Sequence, residues 1–171
     1  MSNSPMNELL REPFQYSAWA TKTLLAACRK LTTEQLRRPA CSFGSVLATL
    51  NHVVVSDANY VAMLSGHRPA WVVDGKDADD LDQIEARADE AAQLWEQFLA
   101  DPLDPDRLLL LDAGEYECHA SVVVAQALHH ANAHREQVRA SLRACNVSPP
   151  DLQPWEYALA TGRARWRRED K

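Results

Sequence analysis

Apolar residues return every third and fourth position through most of this chain, the spacing of helices that bury one face. In "PFQYSAWATKTLLAACRKL", Tyr16, Trp19, Ala20, Leu24, Ala27 and Leu31 keep that spacing with no glycine between them, and Pro13 suits a first helical turn. The pattern predicts a first long helix starting at Pro13. Thr32 and Gln35 in "TTEQL" have the spacing of a capping box, which predicts a single short turn. A second long helix is expected in "SFGSVLATLNHVVVSDANYVAMLSG", capped by Ser42 or Ser45 and stopped at Gly66. Its stripe is Val46, Leu50, Val53, Val54, Ala58, Val61 and Leu64.

Between Gly66 and Asp80 the apolar period gives way to proline, glycine and charge, so a loop is expected there. A third long helix is predicted from about Leu81 to Leu99, on Leu81, Ile84, Ala88, Ala91, Leu94, Trp95 and Phe98, and Asp101-Pro102 closes it. "RLLLLDAGEYECHA" breaks the helical period with an apolar run, a turn signal and an alternating stretch, the marks of a small hairpin. "SVVVAQALHHANAHREQVRASLRACN" then predicts a fourth long helix, capped by Ser121 and ended at Asn146, and a last short helix begins at Asp151. The expected architecture is an all-α four-helix bundle, with a small β-hairpin or extended segment before the last long helix. It is expected to form a single domain over residues 1–171.

Composition narrows the function. A net charge of -6 argues against nucleic acid as a partner, and the basic run Arg163 to Arg168 reads as a solvated end. No stretch reaches the ~18 apolar residues of a membrane span, and the first residues lack the basic leader and apolar centre of a secretion signal. No membrane contact and a cytoplasmic location are therefore expected. Cys28, Cys41, Cys118 and Cys145 are widely spaced with no CxxC pair, and are read as reduced. Cys28 and Cys145 suit small core positions, whereas the strand carrying Cys118 leads directly into a helix rich in histidine.

That helix contains "ALHHANAHREQV". His130 and His134, four apart, stand one turn apart on one face, and Gln137 continues the stripe, while His129 is rotated by about 100°. Two imidazoles can grip one ion, but a usable site needs a third ligand, and His52 on the second helix is the candidate. Spacing alone also allows a surface pair, or a core histidine bonded to a neighbour. Gln137 is a candidate to orient a ligand or a metal-bound water, or else a buried amide bonded to backbone. Asn51, Ser56 and Asn59 are candidates to hydrogen-bond the ligand rings. Asp57, five residues after His52, does not share its face; His67 and His119 are expected to be structural or exposed, and Tyr16 and Trp19 to be core.

The Tyr and Trp of "YSAWATKTLL", the Ser-Phe-Gly-Ser start leading to a His in "SFGSVLATLNHVVVSDANYVAML" and the distal His-x-x-x-His-Arg-x-Gln of "LHHANAHREQV" share an order and spacing. In this the chain resembles the DinB-like family of bacterial metal-binding four-helix bundles, from about Pro13 to Cys145 and more loosely through "PPDLQPWEYA". The resemblance implies a three-histidine metal site at His52, His130 and His134, with Arg135 and Gln137 matching the trailing Arg and Gln. Glu136 replaces a frequent glycine, and Ala133 a common further histidine. Three neutral imidazoles leave an ion its full charge and an open position, as in catalytic rather than structural zinc sites; zinc or nickel is expected. Characterised members of the family include bacillithiol or mycothiol S-transferases and a mycothiol-dependent isomerase. The resemblance thus implies a metal-dependent S-transferase joining a low-molecular-weight thiol to a small electrophile, with no catalytic side chain assigned. It also implies a homodimer, which five tryptophans and long apolar faces would suit. Two alternatives stand beside it. One is a non-catalytic metal-binding stress-response protein with a closed site. The other is a metal-dependent hydrolase, for which Glu136 and Cys118 are the acid or base candidates.

Overall fold

The computed structural model describes residues 5–41 and 44–167, so the alternative cap Ser42 and the last residue of the basic run, Arg168, lie outside the described residues. The first helix, α1 (Pro5–Cys28), starts two turns earlier than the sequence pattern predicts and runs through Pro13. An internal proline removes one backbone hydrogen bond. Packing on both sides of it outweighs that loss: Leu10 lies against the core before Pro13, and Phe14 stacks on Trp95 at 3.8 Å after it. The short α2 (Thr33–Arg37) carries the expected capping box, Gln35 N donating to Thr32 Oγ1 and Thr32 N donating to Gln35 Oε1.

Two very short antiparallel strands, β1 (Pro39–Cys41) and β2 (Gly44–Ser45), lead into α3 (Val46–Ser65). Strands of this length contain no alternation to read, and the sequence pattern gave no sign of them. Ser45 caps α3 by accepting from Ala48 N at 3.1 Å. Gly66 ends it at φ 76°, a left-handed conformation that costs glycine no Cβ clash. The expected loop after Gly66 holds one turn of helix, α4 (Ala70–Val73), which follows Pro69. Its Trp71 packs on the core and donates Nε1 to Glu90 at 2.6 Å, an apolar anchor that punctuation alone does not reveal. Asp80 then caps α5 (Leu81–Phe98) through Gln83 N.

The hairpin has formed as expected, with β3 (Leu108–Leu111) antiparallel to β4 (Tyr116–His119) across a 3-10 turn at Asp112–Gly114. The last long helix, α6 (Ala120–Ala144), is capped at His119 and not by Ser121. Its first amides are taken by the preceding loop, Ala120 N donating to Arg107 O and Ser121 N to Pro105 O, which leaves Ser121 no capping task. It ends at Asn146 as expected: φ is 59° there, and Asn146 N and Val147 N donate back to Arg143 O and Leu142 O. The short α7 (Pro154–Ala160) opens on Pro154, three residues beyond Asp151, whose carboxylate accepts from Gln153 N.

The four long helices make the bundle: α3 packs on α6 and α5, and α1 on α5 and α6. One cluster of the core gathers Leu24, Leu25, Leu50, Ile84, Val138 and Leu142; the other, toward the hairpin, gathers Val61, Leu64, Trp95, Leu99 and Val123. Tyr16 and Trp19 pack against the first cluster, as expected. Burial pushes the Cys28 thiol up to about 12, the behaviour of an inert core residue. Among the described residues no helix is long and apolar enough to cross a membrane.

Candidate metal centre

The contact between α3 and α6 brings together side chains that lie 78 positions apart in the chain. His52 faces His130 and His134, with ring centroids at 4.8 and 4.6 Å, and the two α6 rings are 4.3 Å apart. One ligand atom from each of the three lies within 4.8 Å of the others. His52 Nε2 and His130 Nε2 are 3.0 Å apart. Around a tetrahedral zinc with Zn–N near 2.0–2.1 Å, neighbouring nitrogens sit roughly 3.3 Å apart, close to the His52–His130 separation, and three neutral imidazoles are a donor set that suits such an ion. His52 and His130 are half-buried and His134 is buried at 6% exposure.

Electrostatics prepares two of these rings as ligands. Burial lowers the His130 imidazole to about 4, helped by the neighbouring His134, His52 and His129, and burial followed by His134 lowers His52 as well. Both rings are therefore neutral near pH 7, with lone pairs available. His134 is fixed from behind: its Nδ1 lies 2.9 Å from Gln137 Oε1, one turn on along α6. An amide oxygen accepts only, so Nδ1 carries the proton and Nε2 keeps the lone pair that could hold an ion.

The remaining sequence candidates divide clearly. His129 is exposed, as its rotation on the helix requires, and so are His67 and His119. Asn51 does not serve the histidines through its amide as expected; it is buried and clamps the loop before α5, donating to Leu47 O and Ala78 O and accepting from Ala78 N. Ser56 and Asn59 are half-buried on α3, Ser56 one turn beyond His52. Asp57 turns instead into the bundle, accepts from Trp95 Nε1 at 3.0 Å, and is pushed up to about 6 by burial. Sequence reasoning missed Tyr60, whose ring meets His130 edge-on at 5.6 Å, and Gln126, whose amide donates to the Tyr60 hydroxyl at 3.4 Å. The helical count held the signal, since Tyr60 is two turns beyond His52 and Gln126 one turn before His130.

A comparison with protein families matches residues 1–167 to the DinB family. The chain belongs to the DinB family. The match spans all four bundle helices and all three histidines, and a DinB fold with a clustered histidine triad is compatible with metal binding. A comparison with curated proteins returns no match, so the DinB membership carries no particular reaction with it. A separate cavity of about 870 Å³ lies toward the hairpin between α1, α5 and α6, lined by Leu10, Leu94, Phe98, Val124 and Leu128 among others. It shares no residue with the triad of this DinB chain, and Leu128 and His130 project about 200° apart around α6.

Proposed function

We propose that this protein is a metal-dependent thiol S-transferase in which His52, His130 and His134 hold one divalent ion, zinc or nickel, in the cytoplasm. The observation that carries the reading is the convergence of three imidazoles from two helices within 4.8 Å, in a bundle already joined by its apolar core. An ion held by three neutral ligands keeps its charge and an open position, and so supplies the acidity that makes a small thiol nucleophilic near neutral pH. Gln137 orients His134, and Tyr60 and Gln126 edge the site on the side of the hairpin. The thiol itself, bacillithiol or mycothiol, rests on the family resemblance.

The alternatives have less support. A fastening metal is unnecessary where α3 and α6 already pack through their apolar faces. A hydrolase needs a free acid or base, but Glu136 is exposed and paired with Arg139 at 2.6 Å, and Cys118 is buried in the hairpin. The deciding experiment loads the protein with zinc or nickel and incubates it with bacillithiol, mycothiol, glutathione or coenzyme A and a generic electrophile. Metal-dependent consumption of one thiol, lost in His52→Ala, is the expected result. No acceleration with any thiol, together with ester hydrolysis, would overturn it.

A further inference from the structure

The residue next to a metal-site histidine is, among the described residues, the least exposed charged side chain. Arg135 is 1% exposed, and its Nη1 donates to Ser17 O, Ser17 Oγ and Thr21 Oγ1 on α1 at 3.2, 2.9 and 3.2 Å. The guanidinium carbon lies 5.9 Å from the Tyr16 ring centre. Ser17 and Thr21 also line a cavity of about 20 Å³ with Asp57 of α3 and Trp95 of α5, so the cation is anchored where all four long helices meet. The arrangement is expensive: Arg135 Nε is buried and meets no hydrogen-bond partner among the described residues. Apolar side chains of similar volume often replace such buried ions without loss of stability.

Its position suggests why it is kept. Successive residues on a helix diverge by about 100°, so His134 points to α3 while Arg135 points to α1. We propose that Arg135 is a positioning residue that locks the rotation of α6 about its own axis, and thereby aims His130 and His134 at His52. An imidazole nitrogen reaches roughly 6 Å from the helix axis, so a 10° rotation moves it by about 1 Å, against a tolerance of ~0.2 Å on a metal–nitrogen distance. Beside the triad, apolar packing of α6 offers little to resist such small rotations, because Ala127 and Ala131 have little side chain to interlock and the larger Val123, Val138 and Leu142 lie a turn or more away. The charge-assisted contacts of Nη1, whose two hydrogens are shared among three oxygens on α1, resist them strongly.

The inference rests on the metal reading above for its purpose, but its geometry is testable without metal. The variants are Arg135→Met, and Ser17→Ala combined with Thr21→Val, which keeps the arginine and removes both hydroxyl anchors. NOEs between the ring protons of His52, His130 and His134 in metal-free protein report the aim of the rings, a zinc competition titration reports affinity, and thermal melting reports the fold. Both variants are expected to stay folded, to weaken the inter-ring NOEs and to bind zinc about 10- to 100-fold more weakly, the range seen when a ligand's support is removed. Arg135→Lys, which keeps a donor toward Ser17, is expected to recover part of the loss. Unchanged NOEs in a folded variant overturn the proposal, whether affinity falls or not, because the rings would then be aimed without Arg135. If the wild type itself binds no zinc, the metal reading fails, while lost NOEs in the variants would still establish the positioning role.

Discussion

Replacing Gln137 by leucine tests how the triad works, because the hydrogen bond it removes lies behind the site and touches no metal position. In the metal-free protein His134 can shift its proton to Nε2 or turn its ring, and so avoids most of the penalty. In the loaded protein it cannot: Nε2 is committed, the proton must sit on Nδ1, and that donor lies on a residue only 6% exposed. Leaving a buried donor unsatisfied costs about 1–3 kcal/mol, a factor of roughly 5 to 150 in an equilibrium constant. Since the cost falls almost wholly on the loaded state, zinc affinity of Gln137→Leu should drop by about 10- to 100-fold, as when a partner behind a ligand is lost. Gln137→Glu keeps an acceptor at that place and should bind at least as tightly as the wild type. Competition against a chromogenic zinc chelator at pH 7.5, with melting curves to show that both variants are folded, gives the comparison. Wild-type affinity in the leucine variant would refute the account.

Three further outcomes follow from the same structure. His129→Ala should keep metal content near one ion per chain, whereas His52→Ala should lose the ion yet stay folded, because the core needs no metal; a collapse of melting temperature in His52→Ala would favour the structural-metal reading. In metal-free protein Asp57 and His130 should give opposite pH dependences. Asp57, raised from 3.8 to about 6, loses native stability as pH rises from about 4 to 6, by up to about 3 kcal/mol, and His130, lowered from 6.5 to about 4, loses it as pH falls through the same window, by less because solvent screens its half-exposed ring. Urea unfolding of Asp57→Asn should thus gain on the wild type as pH rises, and His130→Phe should gain as pH falls; parallel profiles would contradict both. We also expect a homodimer, since Leu108, Leu110, Tyr116 and Val122 stand exposed around the hairpin, and light scattering that finds only monomer at all micromolar concentrations would remove it.

The long helices were legible because each buries a continuous stripe, and residues such as Ser45, Gly66 and Asp80 mark their ends by local chemistry that tertiary contacts leave in place. The departures are where tertiary contacts decide. Pro13 looks like a beginning, yet Leu10 and Phe14 pack on either side of it. Ser121 looks like a cap, yet the loop from Pro105 to Arg107 takes the first amides. For the site, the spacing of His130 and His134 gave their common face, and the need for a third ligand made His52 a candidate that likeness to a family reinforced, since an isolated helix cannot connect it to them. Tyr60 lies outside the apolar stripe read for α3, and only the meeting of α3 with α6 gives it a histidine neighbour.

The separation of the ligands along the chain also sets when the site comes into being during synthesis. His52 leaves the ribosome first, and 78 more residues must follow before His130 exists. At 5–20 residues per second that interval is roughly 4 to 16 seconds, during which His52 is a solitary imidazole with no more claim on a metal than any exposed histidine. An ion can be captured firmly only after α6 has docked on α3, hence from whatever pool the finished bundle meets. The identity of the bound metal should accordingly follow the ions available to the completed protein, and growth in medium enriched in nickel or in zinc should change what the purified protein carries.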